Sequence, residues 1–109
     1  MSRPRAHSPI TSEAARILGD LIRAARIERR WTQKNLAERV GVAPYTIRKL
    51  EQGDLGVALG TAFEAAVICG VPLFEAERSR LIMEERQLAD RLTLLPRRAR
   101  REAEVDDDF

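Results

Sequence analysis

Apolar positions recur at helical spacing in five stretches, and no stretch reads clearly as a strand. In the first, Ile17, Leu18, Leu21, Ile22, Ala25 and Ile27 form an apolar stripe, and Arg16, Arg23, Arg26, Arg29 and Arg30 occupy the other face. Ser12 followed by Glu13 predicts its start and about Arg30 its end. Thr32 suits the N-cap of a second helix over 33–40, which Gly41 ends. Pro44 suits the first turn of a third helix over 44–52, ended by Gly53, although Ala43 before it offers no capping side chain. A loop with two glycines covers 53–59. A fourth helix is expected at about 60–69, with Phe63, Ala66, Val67 and Cys69 as core candidates, closed by Gly70 and Pro72. A longer fifth helix is expected at 75–95. Its Leu81, Leu88, Leu92 and Leu95 fall at spacings of seven, four and three, a stripe along one face. Pro96 stops it.

The pattern predicts an all-α chain with one small domain, a helical extension and a tail. Residues 1–11, with Pro4 and Pro9, read as a flexible arm carrying Arg3 and Arg5; the mixed-charge residues 96–109 read as disordered when free. At 109 residues and 44% apolar content, a single small core is within reach, and packing against a second copy would add to it. Net charge is only +2, but its distribution is uneven. Lys and Arg outnumber Asp and Glu by eleven to five in residues 1–52, and are outnumbered seven to four in residues 53–95. Positive charge thus gathers on the half holding the second and third helices, as a phosphate-binding face requires. A solvated arginine-rich surface would look the same, so the asymmetry alone decides nothing.

The chemistry of catalysis is missing from the pattern. His7 is the one histidine and lies in the arm. Cys69, the one cysteine, sits on an apolar face and reads as a buried core thiol; one cysteine gives no disulfide framework and no Cys-based metal site. The glycines match no phosphate-binding loop, and the acidic run Asp106–Asp108 reads as a solvated tail. No enzyme, cofactor or metal is expected. Cysteine usage fits a reducing cytoplasm, no apolar run approaches the roughly 18–20 residues that span a membrane, and no signal peptide is expected from the first residues, whose basic positions precede no apolar stretch.

Residues 33–52, Gln-Lys-Asn-Leu-Ala-Glu-Arg-Val-Gly-Val-Ala-Pro-Tyr-Thr-Ile-Arg-Lys-Leu-Glu-Gln, carry the strongest signal. Ala37 is small where a crossing helix must come close. Gly41 stands where the turn needs a left-handed backbone. Leu36, Val40, Val42, Ile47 and Leu50 supply apolar contacts between the two helices. The stretch resembles the helix-turn-helix of the lambda-repressor (Cro/C1, XRE) family. The resemblance implies a lambda-repressor-like five-helix DNA-binding fold with its XRE-type helix-turn-helix domain over 12–74, whose third helix lies in the major groove of double-stranded operator DNA. It makes Pro44, Tyr45 and Lys49 base-facing, with Thr46 and Arg48 beside them, and Gln33 a phosphate ligand. Lys49 can donate to guanine O6 and N7, and Tyr45 can hydrogen-bond or pack on a thymine methyl. It also implies a structural ion pair between Arg26 and Glu51.

Residues 53–74 and the tail further resemble HipB-type antitoxins, XRE proteins encoded beside HipA-type serine/threonine kinase toxins. That resemblance implies a homodimer that represses its own operon and neutralises a kinase. Leu81, Leu88, Leu92 and Leu95 are candidate dimer or partner contacts, and Phe109 is a candidate anchor for a docking tail. A stand-alone XRE repressor and a helical protein–protein adaptor remain open alternatives.

Overall fold

The computed structural model describes residues 6–74 and 78–96. Its helices are α1 (Pro9–Glu28), α2 (Gln33–Val40), α3 (Pro44–Glu51), α4 (Leu59–Cys69) and α5 (Arg78–Leu94). Among the described residues there is no strand, only a single bridge position at Leu73. The expected all-α fold is the one observed. Two compact units divide the chain, Met1–Leu73 and Phe74–Phe109.

α1 starts earlier than the sequence predicts. Ser8 is the N-cap, its hydroxyl accepting the Thr11 N–H at 3.4 Å, and Pro9 fills the first helical position, where no N–H is needed. Residues 9–11 therefore form the first turn of α1, inside the stretch read as an arm; Pro9 acts as a helix starter, not a breaker. Arg3 and Arg5 lie outside the described residues. The other end of α1 closes with Arg30 in the left-handed region (φ 58). There Arg30 N–H donates to Ile27 O (2.9 Å) and Trp31 N–H to Arg26 O (3.1 Å), the bonding pattern glycine usually supports.

α2 begins with a reciprocal cap. The Thr32 hydroxyl accepts from Asn35 N–H (3.0 Å), and the Asn35 side chain accepts from Thr32 N–H (2.9 Å). It ends at Gly41, whose φ of 86 meets the left-handed requirement. α3 starts at Pro44 with no side-chain cap from Ala43, as its sequence implies.

α2 packs on α3 and α4, and α1 on α3 and α4. Ile22, Leu36, Ile47 and Cys69 are fully buried at the centre, with Ala37, Leu50, Ala62, Ala65, Ala66 and Val71 around them. Burying each large aliphatic side chain favours folding by about 1.5–3 kcal/mol. Val40 and Val42 pack at the edge. Two expectations fail here. Of the α1 stripe, only Ile22 is buried, with Leu18 and Ala25 partly so; Ile17, Leu21 and Ile27 are half exposed or more. In α4, Val67 is 61% exposed, and the inner face is Ala62, Ala65, Ala66 and Cys69. α4 is apolar nearly all round, so periodicity does not select its inner face; close approach to α1 and α2 selects the small side chains.

Gly19 records a closer approach still. A Cβ there would lie 2.6 Å from the carbonyl oxygen of Leu50 and 2.8 Å from that of Glu51. The backbone end of α3 thus rests on α1 at a position that admits only hydrogen, which fixes where α3 is presented.

In the second unit, α5 carries no buried residue. Leu88, Leu92 and Leu95 are about half exposed and Leu81 is half-buried. Residues 97–109, with Phe109 and the acidic run, lie outside the described residues.

Candidate nucleic-acid interface

The site begins with the ion pair that ties α1 to α3. Arg26 is buried on α1 and Glu51 is buried at the end of α3. Arg26 donates from Nε to Glu51 Oε2 at 2.7 Å and from Nη2 to Oε1 at 3.0 Å, a two-pronged contact. Its Nη1 donates to the Trp31 carbonyl oxygen at 2.8 Å, so the guanidinium also fastens the turn between α1 and α2. Burial on both sides makes the pair a locator more than a net stabiliser, because desolvation offsets much of the attraction.

Gln33, at the start of α2, joins this network. Its Nε2 donates to Glu51 Oε1 at 3.2 Å. One amide proton is thereby committed within the protein, leaving the second and the amide oxygen for other partners. Three elements therefore converge on one carboxylate. Beside it lies a polar recess of about 280 Å³ lined by Arg23, Arg26, Gln33, Arg48, Glu51 and Gln52. Arg23 from α1 and Arg48 from α3 are its exposed cations. An anion seated there would meet two guanidinium groups and an amide, the donor set that suits a phosphate.

The outer surface of α3 carries the remaining candidates. Tyr45 is 60% exposed. Arg48 and Lys49, three and four residues on, share its face: Arg48 Cζ lies 5.1 Å and Lys49 Nζ 5.6 Å from the centre of the ring. The tyrosine thus orients both cations. Pro44 is exposed and Thr46 half-buried, with its N–H donating to Ala43 O at 2.9 Å. Pro44, Tyr45, Thr46, Arg48 and Lys49 fall on one short helix, with Gln33 nearby through Glu51 and the shared recess.

Three features were missed from sequence. Arg23 was read only as part of a polar face; its spacing of three from Arg26 on α1 could have placed it beside α3. Gln52 lines the recess. Asp54, in the loop after α3, reaches Lys49 with Oδ2 3.7 Å from Nζ. In the α1–α2 turn, the Trp31 ring takes Arg39 Cζ at 4.1 Å and Arg29 Cζ at 5.7 Å.

On the second unit, a groove of about 510 Å³ is lined by Phe74, Leu81, Glu84, Glu85, Leu88, Ala89 and Leu92. Three of the four leucines of the stripe line it; Leu95 does not.

Residues 17–81 match the family described as "Helix-turn-helix domain". The chain belongs to the helix-turn-helix domain family. The match covers α1 to α4 entire, apart from the first turns of α1, and supports a DNA-binding regulator of the XRE type. No curated protein matches the chain. No helix among the described residues is long and apolar enough to cross a membrane.

Proposed function

We propose that this helix-turn-helix protein is a sequence-specific transcriptional repressor that grips operator DNA as a homodimer. The observation that carries the reading is the Tyr45–Arg48–Lys49 face, with Tyr45 and Arg48 exposed and Lys49 half-buried, on the second helix of the family motif, beside a recess with the donor set for phosphate. Lys49 and Tyr45 read base edges, with Pro44 and Thr46 giving shape contact. Gln33, Arg23 and Arg48 hold phosphate. The leucines of α5 join two copies, which then meet half-sites about one helical turn, roughly 34–36 Å, apart.

The test is selection of duplexes from a random pool by the full chain, followed by gel shift with the winner. Lys49→Ala should cost roughly 1–3 kcal/mol on the selected duplex and relax preference at one base pair per half-site. Equal weakening on all sequences would make Lys49 a phosphate ligand only. No complex even at low salt would favour the adaptor reading.

An antitoxin role is the finer proposal. It rests on the resemblance of residues 53–74 to HipB-type antitoxins, and the apolar groove on α5 supports a protein contact. In this reading the mixed-charge tail of residues 96–109, with Phe109 as its anchor, holds a HipA-type kinase and the pair represses its own operon. Co-expression with the neighbouring gene product decides it: separate elution leaves a stand-alone repressor.

A further inference from the structure

The loop after α3 holds a carboxylate against the residue proposed to read bases. Gly53 is left-handed, and two backbone bonds fold the loop back over the last turn of α3: Gly53 N–H to Leu50 O (3.0 Å) and Asp54 N–H to Lys49 O (3.0 Å). Asp54 Oδ1 accepts from Gly56 N–H at 2.7 Å. Its Oδ2 lies 3.7 Å from Lys49 Nζ, with the side chains 38% and 35% exposed. The carboxylate is therefore anchored at both oxygens and by its own backbone. An exposed pair of this kind adds little to stability, so its anchoring calls for another account.

We propose that Asp54 is a specificity-determining residue that turns Lys49 away from phosphates and toward neutral base edges. The inference rests on the DNA-binding reading. An ammonium group has three donors. One can serve Asp54 while two serve guanine O6 and N7, which are neutral and bring no repulsion. A phosphate oxygen on the same ammonium brings a second anion beside the carboxylate, where like charges repel. The Tyr45 ring, 5.6 Å from Nζ, bounds the ammonium on another side. The penalty thus falls on docking in which Lys49 grips backbone, the mode that dominates non-specific complexes. Specificity is the ratio of the two affinities, so a penalty on one raises it.

Asp54→Asn tests this with the full chain, because asparagine keeps an oxygen for the Gly56 N–H and removes only the charge. The probes are a duplex won from the random pool and a shuffled duplex of equal length. On the shuffled duplex, binding should tighten about three- to tenfold at low salt, and its salt slope should steepen by about 0.9 as Lys49 gains a phosphate. The selected duplex should change by no more than about twofold. In a Lys49→Met background, Asp54→Asn should leave the ratio unchanged. Equal tightening on both duplexes would reduce Asp54 to a bulk charge and overturn the inference. Weakening on the selected duplex alone would make Asp54 a base contact and overturn it too. If the wild-type chain binds neither duplex and the pool yields no winner, the DNA-binding reading itself fails.

Discussion

Gly19→Ala sets two effects of known sign against each other. Alanine is favoured over glycine in a helix interior by about 1 kcal/mol, so α1 alone would gain. The new Cβ, however, would stand 2.6 Å from Leu50 O and 2.8 Å from Glu51 O, whereas ordinary contact begins at 3.4 Å. Both obstacles are backbone oxygens at the end of α3, which cannot rotate aside like a side chain. α1 and α3 must part by about 0.8 Å, and close-packed interiors resist such shifts. That movement stretches the Arg26–Glu51 contacts, now 2.7 and 3.0 Å, and loosens Ile22 and Leu50. Overpacking typically costs 1–3 kcal/mol, and the strained ion pair adds to it, so the packing term wins. Net destabilisation of roughly 1–2 kcal/mol is expected. Urea unfolding followed by Trp31 fluorescence reads it as a lower midpoint at unchanged slope, about 1 M lower for a domain of this size. Gly60→Ala is the control: a Cβ there meets nothing within 4 Å, so that variant should equal or exceed wild-type stability. A Gly19→Ala variant as stable as Gly60→Ala would refute the close crossing.

Other changes test the rest of the scaffold. Arg26→Met alone strands a buried carboxylate and should cost about 3–5 kcal/mol, while Arg26→Met with Glu51→Leu should recover most of it; thermal melts of the three proteins decide. Arg30→Gly relieves a side chain held at φ 58 and should raise stability by about 0.5–1 kcal/mol, a gain of a few degrees in Tm. Burial pushes the Cys69 thiol above its ordinary range, against the opposing pull of Arg29. The raised folded pKa means stability is full below the unfolded thiol value, about 8.5, and is lost as pH rises from there towards the folded one. Relative to Cys69→Ala, the wild type should therefore lose stability with steeper slope in alkaline buffer; parallel pH profiles would count against a buried protonated thiol.

The all-α class, α2, α3 and the turn between them were legible in the sequence, because their determinants are local. Thr32 caps, Gly41 supplies the left-handed turn and Pro44 starts α3, each by its own backbone preference. Leu36, Ala37, Ile47 and Leu50 were legible as core because the turn geometry leaves their two helices few ways to meet. Tertiary packing decided the rest. Where α4 is apolar on every side, only its neighbours could choose Ala62, Ala65 and Ala66 over Val67. Gly19 reads as a helix weakness in isolation and becomes a contact point only when α3 lies across it. Arg23 and Asp54 are ordinary surface residues along the chain, and Gln33 and Arg48 stand out there only through the family resemblance. The packing of α1 and α2 on α3 gathers Arg23, Gln33 and Arg48 around Glu51, and the loop folding back over α3 sets Asp54 against Lys49, since distances between elements are fixed by packing and not by local preference.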